Sequence, residues 1–213
     1  MSFERFFYTE GRIKLPTEDI IKWVNEHFAE MIMKIKETYK EKYGTYIDDS
    51  LEVRNEYTDE VESFIINIVD KIHIPDGNKD TLYALSYDKK QGSIEISASA
   101  MMEVLKTEDK IRKYVTHGII HELSHAMDPG REFKKSDSSS FKSYINTDVE
   151  IPAFVNQYIE LIKGLPEVDR LRVLESIRSG KRVPIKEVAD WMSKLTFQNK
   201  MKFIKLLVKE IVK

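Results

Sequence analysis

The sequence predicts an α+β fold, mostly helical, in which a small antiparallel β-hairpin or sheet packs on a central helix between N- and C-terminal helices. Three observations predict it. Apolar residues recur at helical spacing over most of the 213 residues. Two short stretches, 83–87 and 93–97, read instead as strands. Tyr83-Ala84-Leu85-Ser86-Tyr87 meets the turn Asp88-Lys89-Lys90-Gln91-Gly92, and Ser93-Ile94-Glu95-Ile96-Ser97 alternates polar and apolar as a half-buried strand does. The helix after this hairpin then carries two histidines four residues apart.

The elements follow in chain order. After Pro16-Thr17, residues 18–43 form a long amphipathic helix with Ile20, Val24, Phe28, Met31, Ile35 and Tyr39 on one stripe. Residues 51–57 read as a strand. Residues 59–72, after Thr58 as cap, read as a helix with Val61, Ile65, Ile68, Val69 and Ile72 inward. Ile74-Pro75-Asp76-Gly77-Asn78 is a turn. Beyond the hairpin, Thr107 is a suitable N-cap, with Glu108 and Asp109 in the first turn, where they complement the helix dipole. Ile111, Tyr114, Val115, Gly118, Ile119 and Leu123 continue the periodicity until Asp128-Pro129-Gly130 stops the helix. Residues 129–146 form a serine-rich, lysine-bearing connection, either a substrate-binding or gating loop or simple slack. A further helix opens at Glu150 and runs to about Lys163, before Gly164. Three more follow at 167–178, 185–195 and 198–212, with Gly180 and Pro184 between the first two. The last is basic on one face and apolar on the other; such a helix closes a core under a solvated lysine face, the favoured reading, or touches a membrane or a partner.

The histidines belong to His121-Glu122-Leu123-Ser124-His125. Residues four apart on a helix share a face, with Cβ atoms about 6 Å apart. Both imidazoles can then reach one zinc ion at roughly 2.0–2.1 Å. Glu122, turned about 100° from His121, lies beside the metal rather than on it. There it can take a proton from a metal-bound water. This is the HExxH signature of zinc metallopeptidases.

Catalytic zinc usually has three protein ligands and a water. The chain has no cysteine, and no histidine follows His125. His117 shares the face of His121, but positions 117 and 125 are about 12 Å apart along the axis, too far for one ion to hold all three. His27 and His73 sit in no motif. Downstream carboxylates remain: Asp128, Glu132, Asp137, Asp148, Glu150 and Glu160. Asp128 follows too closely to swing back, though it could orient a ligand imidazole. Asp137 lies in a serine-rich stretch. Glu150 is the leading candidate, with Asp148 next. Thr147 and Glu150 also make a T-x-x-E capping box, a structural task, and Pro152 is comfortable only in a first helical turn.

Hairpin, HExxH helix and downstream glutamate together resemble the zincin metallopeptidases. A third histidine six residues after the second, as in metzincins, is missing: Arg131 stands there. The Glu150 helix resembles that of the glutamate-ligand zincins, with Ala153 as the small residue one turn on that lets two metal-bearing helices approach. The fuller gluzincin patterns are absent. The short form is closer to the ImmA/IrrE-like peptidases, with their HELxH and downstream glutamate-alanine helix. The likeness covers roughly residues 93–163, and only the HExxH part is highly specific.

The resemblance implies a single zincin-like domain over 1–213, with an N-terminal helical part at 1–75, a metal-site core at 76–165 and C-terminal helices at 166–213. It implies Zn2+ bound by His121, His125 and Glu150. It implies a metallopeptidase in which Glu122 is the general base for a zinc-activated water acting on a peptide or protein substrate. It also implies that strand 93–97 is an edge able to pair with an extended substrate. The oxyanion donor stays open among Tyr144, Tyr158 and Arg131. The alternative reading is a catalytically inactive zincin-shaped structural or binding protein in a larger assembly, although such a site does not need Glu122.

Composition narrows the rest. A net charge of −2 gives no argument for nucleic acid or a membrane surface. The N-terminal residues contain no apolar run of signal-peptide type, and no stretch approaches the length of a membrane span. A cytoplasmic location is the expectation. The opening Met1–Gly11 resembles the short N-termini of some tailed-phage proteins, which would place the chain in a virion if it is phage-encoded.

Overall fold

In a computed structural model, residues 15–55, 59–72, 84–88, 90–127, 145–146 and 150–211 are described. They fall into two compact units, one within 15–127 and one holding 145–146 and 150–211.

The N-terminal unit begins with helix α1, Thr17–Glu41. Pro16 precedes it, where a missing N–H costs nothing, and Glu18 and Asp19 occupy the positive end of the dipole. At the far end Lys42 turns left-handed (φ 62°), and its N–H closes on the Thr38 carbonyl. The predicted stripe is buried from Ile20 through Val24, Phe28 and Met31 to Ile35, with Tyr39 half-buried. Lys34 is buried too, its ammonium 2.7 Å from Glu30 and 2.9 Å from Asp48.

The strands β1 (Thr45–Tyr46), β2 (Leu51–Arg54), β3 (Val61–Val69), β4 (Leu85–Asp88) and β5 (Ser93–Ser97) make a small mixed sheet. The helix expected at 59–72 is therefore a strand. Phe64, Ile66 and Ile68 alternate inward, whereas Val61 and Ile65, expected to be buried, are 55% and 47% exposed. Strand 51–57 is shorter than expected: β2 ends at Arg54, and residues 56–58, with the expected cap Thr58, lie outside the described residues. The turn at 74–78 lies outside them as well.

β1 and β2 pair antiparallel with successive stretches of β3, and β3 pairs parallel with β5. The hairpin of β4 and β5 is antiparallel as predicted, with Leu85 opposite Ile96 and Asp88 opposite Ser93. The sheet is thus mixed rather than antiparallel, and β5 is interior. Among the described residues the order β1-β3-β5-β4 leaves β4 at the edge and β5 between two strands, which corrects the expected edge at 93–97. On the helix-covered face Ile66 meets Ile94 and Ile68 meets Ile96, all fully buried. The parallel join is tied at its end. Ser99 donates through its N–H to the Asp70 carbonyl and through Oγ to the Asp70 carboxylate at 2.7 Å.

Glu95 lies midway along β5, opposite Ser86 and Asn67. Burial, and then the charge of Asp88, raise its carboxyl pKa above the ordinary 4.5. The folded state then holds the proton more tightly than the unfolded chain. Its stability falls as pH rises through that window and carries the full penalty above it. Glu95→Gln is expected to raise the urea midpoint at about pH 7 and to lose that advantage below about pH 4. An equal gain at both pH values would mean that packing, not charge, is responsible.

A helical turn, Ala98–Ala100, and a π-helical stretch, Met101–Leu105, lead into α2, Glu108–Ala126. Thr107 stands at the N-cap position in an extended conformation, but its side chain makes no cap bond; Lys36 meets Glu108 at 2.6 Å instead. Ile111, Val115, Ile119, Ile120 and Leu123 enter the same core as α1 and the sheet. The expected breaker, Asp128-Pro129-Gly130, lies outside the described residues, and the helix ends just before it.

Gly118 of α2 packs directly against the Leu85 side chain of β4. A Cβ there would stand 2.6 Å from Leu85 Cδ1. Gly118→Ala is therefore expected to destabilise by about 1–3 kcal/mol despite its better helix propensity. Trimming the opposing side chain with Leu85→Ala should relieve part of that cost. A thermal-melt double-mutant cycle with no coupling would show that the contact does not set the spacing.

In the C-terminal unit, α3 (Glu150–Lys163), α4 (Glu167–Arg178), α5 (Lys186–Met192) and α6 (Phe197–Ile211) enclose a second core. The helix expected at 185–195 ends at Met192. Pro152 falls in the first turn of α3, where it breaks no bond. Trp191 and Phe203 pack with ring centroids 4.6 Å apart, and Phe154 and Tyr158 join them. Phe203 and Leu207, on the apolar face of α6, are fully buried, so that face closes the core as predicted. Asn146 secures the start of α6: its Oδ1 accepts from Thr196 N–H at 2.7 Å and its Nδ2 donates to the Lys194 carbonyl.

Candidate metal centre

The last turns of α2 put His121 and His125 one above the other on one face, both buried. Their Nε2 atoms are 3.0 Å apart and their rings nearly perpendicular at 87°. A tetrahedral ion with bonds of 2.0–2.1 Å separates two nitrogen ligands by roughly 3.3 Å, so the pair converges as two imidazoles sharing one cation would. Glu150, the first residue of α3, is buried as well, and Ala153 one turn on is a buried small residue. His121, His125 and Glu150 each offer one ligand atom, and these atoms lie within 4.8 Å of one another. A donor set of two imidazoles and one carboxylate can bind a metal ion, and it fits an ion of zinc type.

Glu122 faces elsewhere on the helix and is half-buried. Its Oε2 accepts the backbone N–H of Tyr87 in β4 at 3.1 Å. Ser124 turns its hydroxyl back to the Ile120 carbonyl at 2.8 Å, a bond within its own helix. Tyr114 lies two turns before Glu122, on the stripe that includes Gly118. Burial, and then the Glu122 charge, push its phenol pKa above the ordinary value, although nearly half its surface is exposed. It therefore stays protonated at neutral pH.

The other expected residues distribute as follows. His117 is half-buried on α2 and outside the triad. His27 is an ordinary helix residue: its Nδ1 bonds the Trp23 carbonyl at 2.8 Å and its ring stacks on Trp23. Tyr158 packs its ring against Trp191 and Phe203 in the aromatic core of the C-terminal unit. Asp128, Arg131, Glu132, Asp137, Tyr144 and Asp148, like His73, lie outside the described residues. The Tyr87 amide and Tyr114 were not foreseen. A backbone donor leaves no mark in a sequence, whereas the spacing 114, 118, 122 was open to notice.

Among the described residues no helix is long and apolar enough to cross a membrane. Comparison with protein-family models, with curated proteins and with solved structures finds no match for the chain.

Proposed function

We propose that the chain is a zinc-dependent metallopeptidase of zincin type that hydrolyses peptide bonds in a peptide or protein substrate. The observation that carries this reading is the convergence of His121, His125 and Glu150 while Glu122, one residue from the first ligand, stays off the cluster. His121, His125 and Glu150 would hold the metal. When bound, zinc supplies a Lewis acid and lowers the pKa of a coordinated water to about 7. Among the described residues three side chains could hold the ion, and a site with three protein ligands would leave room for a water, as catalytic sites do.

Glu122 would act as general base and then as general acid, taking the proton of the attacking water and delivering it to the leaving amine. The hairpin beside α2 supplies an edge strand, β4, against which an extended peptide could lie. The experiment that tests the reading is cleavage of labelled casein by zinc-loaded protein, with and without Glu122→Gln. Zinc binding without any cleavage would favour a structural or binding protein whose metal only pins the fold.

A further inference from the structure

The β4 edge does more than border the sheet. Ser97 N–H donates to the Ala84 carbonyl at 2.9 Å, and the register then puts Ser86 opposite Glu95 and Asp88 opposite Ser93. In an antiparallel pair the hydrogen-bonding residues alternate. Ala84, Ser86 and Asp88 therefore face β5 with their polar backbone groups, while Leu85 and Tyr87 turn theirs outward. The outward N–H of Tyr87 meets Glu122 Oε2 at 3.1 Å. Gly118 lies against this strand: a Cβ there would stand 2.6 Å from Leu85 Cδ1, so the Leu85 side chain would have to shift.

We propose that the backbone N–H of Tyr87 is a positioning donor that fixes the Glu122 carboxylate beside the paired histidines. This inference rests on the peptidase reading. A glutamate side chain has three rotatable bonds, and a proton shuttle must be held at one orientation to serve both the attacking water and the leaving group. A charge-assisted bond from a strand amide does this without a mobile side chain. The sheet that locates β4 thus locates the base.

The first test is amide hydrogen exchange at Tyr87 in the zinc-loaded protein, followed by NMR. An outward edge amide exchanges quickly unless something accepts it. The expected result is protection in the wild type and exchange at least tenfold faster in Glu122→Ala. Equal rates in the two proteins overturn the proposal and leave the peptidase reading standing. The second test compares Tyr87→Pro with Tyr87→Ala on fluorescein-labelled casein. Both lose the ring, but only proline loses the N–H, at a position where the ladder to β5 does not need it. The proline variant should show kcat at least tenfold below the alanine variant at similar KM and equal zinc content. Equal kcat, or a rise in KM alone, would assign the amide to substrate pairing or to nothing and overturn the proposal. If the zinc-loaded wild type cuts no casein, the peptidase reading fails and this inference fails with it. If the proline variant does not fold, the exchange experiment decides.

Discussion

Glu122→Gln should lower kcat on casein by about 10²–10⁴-fold, the usual contribution of a positioned general base, with zinc content and melting temperature close to wild type. Glutamine has the shape of glutamate and retains an oxygen that can accept the Tyr87 N–H, so α2 and β4 should keep their spacing. What it loses is the ability to take up a proton near neutral pH. Because Glu122 lies outside the His121, His125 and Glu150 cluster, its neutralisation leaves the ligand set intact. Metal content and activity therefore separate in this variant. An undiminished rate would sink the proposed mechanism. Loss of zinc along with the rate would place Glu122 among the ligands instead.

The helices that carry His121, His125 and Glu150 were legible because two signals coincide in each. In α2 the core positions Ile111, Val115, Ile119 and Leu123 recur at helical spacing, and the same periodicity stacks His121 on His125. In α3 the apolar Ile151, Val155, Ile159 and Ile162 define the buried face, and Glu150 stands at the start of the helix. A helix's geometry lies within its own sequence, so a motif on it can be placed before any tertiary contact is known.

The sheet was less legible, for a corresponding reason. In Val61–Val69 the apolar residues at 61, 65, 68 and 69 fit a helical stripe, while 64, 66 and 68 fit strand alternation. Five β-branched residues among nine should have tipped the choice to strand, since periodicity alone does not separate the two in a short apolar run. The edge at 93–97 is what the zincin resemblance implies, and it does not hold because β5 pairs with β3 as well as with β4. Which strand is the edge depends on partners distant in sequence, here the parallel pairing of Ile66 with Ile94. The same dependence hid the amide of Tyr87, whose direction follows only from the β4–β5 register.

Glu150→Ala is expected to weaken zinc binding by at least about 100-fold, because even residues that merely orient a ligand cost 10–100-fold when changed. Wild type should hold about one zinc per chain after dialysis, and the variant should lose it to a mild chelator. Linkage makes the same point in stability. A ligand that binds only the folded state stabilises by RT ln(1 + [L]/Kd), about 2.7 kcal/mol at a hundredfold excess over Kd. Zinc should therefore raise the melting temperature of wild type by several degrees and that of the variant much less, with EDTA reversing the wild-type shift. Because Glu150 is buried, its replacement also changes packing, so the informative quantity is the zinc-induced shift within each protein and not the difference between the two melting temperatures. Full zinc retention and an undiminished shift in Glu150→Ala would remove this carboxylate from the ligand set. Asp148 would then be the next residue to replace, with the histidine pair still in place.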